Sequence, residues 1–135
     1  MKFREYVSEI QKLASIEGYM KGAQHVLGQL LAYAPETDNG DWPPQCVCEV
    51  LDDPQHDRMR GTFETSVCNK RGVTSRLPYD GGEQERALAE KYQGYADRCQ
   101  IEFPLASKAL ADIAAYYSQD ALRHDRDAEF SKEQF

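Results

Sequence analysis

Residues 53–72, DPQHDRMRGTFETSVCNKRG, decide the fold class. Read as a helix, the stretch carries matched start and stop signals. Asp53 is a good N-cap, Pro54 suits the first helical position, and Gly72 offers a left-handed stop. Met59, Phe63 and Val67 then share one face. Read as strands, GTFETSV is rich in β-formers and NKRG supplies a hairpin turn. Gly61, Thr62 and Thr65 weaken the helical reading. The paired end signals favour the helix. The expected fold is therefore all-α, a compact bundle of about five helices. The alternative is an α+β fold with a small antiparallel meander over 45–77.

Upstream lies PETDNGDWPP (35–44), with three prolines and an Asn-Gly pair, which reads as a loop. Trp42 in this loop is expected to fold back on the core, although a loop Trp also suits a partner-binding anchor. Pro43 and Pro44 open a short helix that runs through Leu51. Before the loop, Phe3, Val7, Ile10 and Ala14 mark one helical stripe. Ile16, Met20, Ala23, Leu27, Leu30 and Ala34 mark a second. The stripes join badly at Glu17, so a bend or break is expected near 15–18, with Pro35 as the end.

Downstream, Asp80 and Glu83 have the spacing of a capping box. Leu88, Tyr92, Tyr95 and Cys99 line one face of the helix that follows. Pro104 starts the last helix, whose stripe is Leu110, Ile113, Tyr117, Ala121, His124 and Ala128. One helical domain over 1–130 with a frayed C-terminal tail at 131–135 is expected.

The chain has 135 residues, 41% apolar and 29% charged, and a net charge of −7. That balance suits a soluble globular domain and disfavours direct binding to nucleic acid or an anionic membrane. No apolar run reaches the ~18 residues of a membrane helix. Glu5 and Glu9 fall where a signal peptide needs apolar residues, so a cytoplasmic location is expected, with Cys46, Cys48, Cys68 and Cys99 as reduced thiols.

Chemistry-bearing patterns are weak. Cys46 and Cys48 are spaced Cys-x-Cys, unlike a zinc ribbon, and His25, His56 and His124 share no short motif. There is no nucleophile elbow. Cys68 has Lys70 and Arg71 nearby, but the end of a helix disfavours a thiolate. Gly81-Gly82 opens a helix without a lysine, and Asp80 would fill the place of a phosphate. No catalytic residue, metal site or cofactor is expected.

Charge is laid out in blocks. Residues 34–57 hold seven acids and no Lys or Arg. Residues 58–76 hold Arg58, Arg60, Lys70, Arg71 and Arg76 against Glu64 alone. Residues 77–135 return to twelve acids against seven bases. The basic island either pairs with the acidic block inside the monomer or presents a docking surface. Lys70, Arg71 and Arg76 are expected to point into solvent, and their joint removal to leave folding intact. The partner-binding candidates are Arg58, Arg60, Lys70, Arg71, Arg76, Trp42 and His124. His124 falls on an apolar stripe and suits a core or interface role.

The function expected is that of a small acidic protein-interaction module, an accessory subunit or stoichiometric inhibitor of a larger enzyme. Its partner would be another protein or a second copy of itself. Two alternatives remain from the residues. One is a small enzyme or ligand-binding domain with a pocket lined by Tyr and Arg, including Tyr92, Tyr95, Tyr116 and Tyr117. The other is an acidic nucleic-acid mimic.

Overall fold

The computed structural model describes residues 5, 7–9, 20–71, 76, 77 and 80–134. The expected bend at 15–18 and the expected left-handed Gly72 lie outside these residues. The described chain is an all-α bundle. Its elements are α1 (Met20–Leu31), α2 (Gln45–Leu51), a 3-10 turn (Pro54–His56), α3 (Asp57–Asn69), α4 (Glu83–Cys99) and α5 (Pro104–Gln134). Glu5 and Val7–Glu9 are also helical.

The deciding stretch is helical, and no strand occurs among the described residues. Met59, Phe63 and Val67 are all fully buried, which outweighs the weak propensity of their neighbours. Gly61 and Thr65 face solvent, and Thr62 stands at the edge of the buried face. Asp53 caps the start as expected, its carboxylate accepting from the Gln55 N–H at 2.8 Å.

Helices α4 and α5 form an antiparallel pair. Four residues, 100–103, join them, and the start of α4 at Gly82 meets Ala121 midway along α5. A Cβ on Gly82 would collide with the Ala121 backbone. The N-terminus of α4 is capped across the hairpin, because the Gly82 N–H donates to the Asp125 carboxylate at 2.7 Å. Asp80 instead turns back to the Leu77 N–H at 2.8 Å, so the expected capping box does not form. The N-terminus of α5 is likewise held from afar, with the Leu105 N–H donating to Asp52 at 2.7 Å. The last helix continues to Gln134, so residues 131–134, read as tail, are helical.

Helix α1 crosses α3 at Gly28. Buried Gln24 links the two, its amide accepting from the Met59 N–H at 3.2 Å and donating to the Gln55 carbonyl at 3.1 Å. This contact turns Leu27 and Leu31 inward. Leu30, expected in the core stripe, is 58% exposed. The close approach at Gly28, rather than the apolar count, fixes which side of α1 is inside.

A Cβ at position 28 would lie 2.7 Å from both the Met59 carbonyl oxygen and the Thr62 Cβ. Gly28→Ala is therefore expected to cost about 1–3 kcal/mol by forcing α1 from α3. Gly61→Ala, where nothing lies within 4 Å, is the matched control. It is expected to stabilise by up to ~1 kcal/mol through helix propensity alone. Urea unfolding of both variants checks the sign of each effect.

Trp42 lies beneath the 35–44 loop at 6% exposure. Its ring stacks on Phe63 at 5.7 Å and meets Tyr95 at 5.5 Å, and its indole N–H donates to the Ala34 carbonyl at 2.8 Å. The loop is thus stitched to the core by its largest side chain.

Candidate functional site

The basic island does not form one exposed patch. Arg60 donates to the Leu51 and Asp53 carbonyls at 2.8 and 2.6 Å, closing the end of α2. Lys70 donates to the Ala32 carbonyl at 2.6 Å, just past the end of α1, and sits 5.0 Å above the Trp42 ring. Burial pulls the Lys70 pKa down, and Lys91 adds to that. Arg58 remains exposed.

Arg71 and Arg76 converge on one carboxylate. Glu85, in the first turn of α4, is completely buried. Arg76 grips it with two parallel bonds of 2.8 and 2.6 Å, and Arg71 adds a contact of 2.6 Å. The Arg71 guanidinium also faces the Tyr117 ring at 5.7 Å. Both arginines keep less than a fifth of their side chains exposed. The expectation that they point into solvent is therefore corrected. The bond from Arg76 comes first among the causes that hold the Glu85 carboxyl down at about 2, against the opposing effect of burial. Glu85 raises Arg76 in return.

Glu85 was missed in the sequence, although a signal existed. It lies three residues before Leu88 and seven before Tyr92, on the apolar stripe extended by one turn. A carboxylate on such a stripe demands a counter-charge, and the island supplies two.

Asp120 and His124 of α5 lie beside this cluster. Donor atoms of Glu85, Asp120 and His124 fall within 4.8 Å of one another. His124 is half-buried, its Nε2 3.6 Å from Asp120. Arg123 also binds Asp120, at 2.5 Å. A divalent cation here would face two guanidiniums already holding the Glu85 oxygens, and repulsion would oppose it. The cluster reads as a counter-ion lock rather than a metal centre.

The acidic block is also dispersed. Asp41 pairs with Arg98 at 2.5 Å, Asp52 and Asp53 cap helices, and Asp57 lies 3.6 Å from Arg60. Acids divided in this way do not present the even ladder that a nucleic-acid mimic requires. Tyr92, Tyr95 and Tyr117 are core residues, and Tyr116 is exposed. Tyr95 and Arg98 do border an open cleft of about 340 Å³ beside Trp42, with Cys48 and Cys99 in its wall.

One further titratable pair stands apart. Glu64 on α3 is half-buried and is influenced by Asp112 on α5. Burial first, and then Asp112, push Glu64 from 4.5 up to about 8, against the pull of Lys108 and Arg60. A raised carboxyl binds its proton more tightly in the folded chain. Its contribution is therefore complete below pH 4.5 and is lost as pH rises through about 8. Glu64→Gln is expected to flatten that decline and raise the thermal midpoint at pH 8 while changing little at pH 5. Thermal scans at the two pH values check it. Equal shifts at both would refute a raised Glu64 carboxyl.

The outer face of α1 is a different kind of feature. Val26, Leu30 and Tyr33 are 52%, 58% and 67% exposed. Their spacing, four residues and then three, places them on one side of the helix and of its terminal turn. Leu27 and Leu31, one position further along, are buried on the adjoining face, so the apolar arc of α1 runs beyond the part that the core covers.

No family model matches this chain, and neither a curated protein nor a solved structure matches it.

Proposed function

We propose that this chain is a protein-interaction module that docks through the outer face of α1 into an apolar groove on a different protein. The observation that carries this reading is the uncovered part of the apolar arc of α1. A helix whose apolar arc is wider than the face its core covers leaves apolar surface to cover. Anchors at Val26, Leu30 and Tyr33 follow the spacing by which a helix seats in a groove. Three side chains fall short of the roughly 800 Å² per partner that a stable flat interface buries. A groove that wraps the helix suits them better than a flat contact between two copies. An accessory subunit or a stoichiometric inhibitor of a larger enzyme would use such a surface. The basic island contributes little to this reading, because four of its five cations are held by internal partners.

The test compares wild type with Leu30→Glu. Light scattering on both is expected to show monomers, and circular dichroism to show equal helicity. Affinity capture from the native cell is expected to retain a protein on wild type and lose it on the variant. Reconstitution with that purified protein should then weaken at least tenfold, a penalty of about 1.4 kcal/mol. A wild-type dimer that Leu30→Glu dissolves would replace the foreign groove with a second copy. Capture unchanged by the variant would remove α1 as the docking face.

A further inference from the structure

We propose that the cleft beside Trp42 binds a small organic cation, an aromatic ring that carries an ammonium group on a short arm. The cleft holds about 340 Å³ between the 35–44 loop, the start of α2, the end of α4 and the connection that follows it. Trp42, Pro43, Tyr95 and Phe103 supply an apolar wall, and Thr37, Asn39 and Gln45 add uncharged polar groups. Ring surface with a few polar groups is the usual make-up of a ligand cleft, and a small volume suits a single ring. Val26, Leu30 and Tyr33 do not line it, so it is separate from the face of α1 assigned to docking.

The charges in the lining decide the class of ligand. Arg98 is the cation among the described lining residues, and it is already engaged. Its guanidinium binds Asp41 at 2.5 Å and lies 5.1 Å from the centre of the Tyr95 ring. An anionic ligand would have to compete with Asp41 for it. Glu102 is the opposite case. It lines the cleft, is exposed, and makes no hydrogen bond or ion pair among the described residues. A carboxylate without a partner, next to Phe103, offers the pairing that holds Arg98, an acid together with an aromatic ring. The cleft therefore binds one cation of its own by these means and presents the parts for a second.

The surroundings add to the bias. Glu102 and Phe103 also line the neighbouring cleft, whose lining includes Glu49, Asp52 and Asp53. Their negative potential draws a cation towards the shared edge and keeps an anion away. The ring of the ligand lies along the aromatic wall, and its ammonium faces Glu102.

The experiment titrates the full chain with phenethylamine. The control is 3-phenylpropionate, which has the same ring and arm but the opposite charge. Trp42, the sole tryptophan, stands in the wall, so its emission reads occupancy, and calorimetry reads binding independently. Phenethylamine is expected to bind with a Kd below about 1 mM and to weaken as salt is added. The control is expected to bind at least tenfold more weakly. Glu102→Gln alters an exposed side chain without a partner among the described residues, so circular dichroism should show an unchanged fold. It should weaken phenethylamine by about threefold, the effect of one exposed ion pair, and leave the control no weaker. Equal affinity for the two probes, tighter binding of the anion, or phenethylamine binding unchanged by Glu102→Gln overturns the choice of a cation. Failure of both probes to bind at several millimolar, by both readouts, overturns the cleft as a ligand site.

Discussion

Glu85→Ala is expected to destabilise the fold by about 3–5 kcal/mol, the usual cost of breaking a buried ion cluster from one side. The substitution removes the carboxylate that both Arg71 and Arg76 hold while leaving both guanidiniums mostly out of solvent. Two like charges would then face each other with no carboxylate between them. Glu85→Gln should cost nearly as much, since shape is kept and charge is lost. Removing all three charges together should cost less than the worst single change, because apolar side chains can fill such a site without a desolvation penalty. Acid supplies an independent check. A depressed carboxyl contributes above its ordinary value of 4.5, and that contribution is lost as pH falls towards about 2. Wild type should thus lose stability steeply in that window, and Glu85→Gln less steeply. Urea midpoints across the acid range read both slopes.

Trp42→Ala is expected to cost a similar ~3–5 kcal/mol, as large-to-small changes at buried aromatics do. The ring fills the space between Phe63, Tyr92 and Tyr95, and it also forms the floor under the Lys70 ammonium. Its loss opens a cavity, leaves the Ala34 carbonyl without its indole donor, and frees the 35–44 loop. Trp42→Phe keeps part of the stacking and loses that donor, so it should cost clearly less. Trp42 is the sole tryptophan of the chain, so intrinsic fluorescence reads its surroundings directly. Wild type should emit at short wavelength and shift to long wavelength in a single step with the loss of helicity. Long-wavelength emission from the folded protein would place Trp42 in solvent and favour a role as an exposed anchor.

The helix content was legible because its signals are local. Pro104 starts α5, Asp53 caps the turn before α3, and Leu110, Ile113, Tyr117, Ala121 and Ala128 lie inside as their spacing implies. The helix caps were not legible where they came from afar. Asp125 and Asp52 reach across forty-three and fifty-three positions, and no local pattern records such a pairing. The inward side of α1 was misjudged for a related reason. Leu27, Leu30 and Leu31 look alike in a hydropathy pattern, and only the close crossing at Gly28 separates them. The basic island was visible as a block of charge, but its destination was not. Five cations close in sequence disperse to two helix ends, one buried carboxylate and the solvent, because side chains follow the geometry of their own turns. The exposed face of α1 became visible only once the rest of the core had been placed.

A double-mutant cycle between Arg76 and Glu85 tests most directly whether the island is an internal counter-charge. Stability would be measured by urea unfolding for wild type, Arg76→Ala, Glu85→Ala and the pair, at low and high salt. The buried, doubly bonded contact predicts that the pair falls short of the sum of the single changes by more than about 1 kcal/mol. That coupling should persist at high salt, because buried charges are weakly screened. Single changes that add within about 0.5 kcal/mol, or a coupling that salt abolishes, would contradict it and return Arg76 to the solvent-facing role read from the sequence.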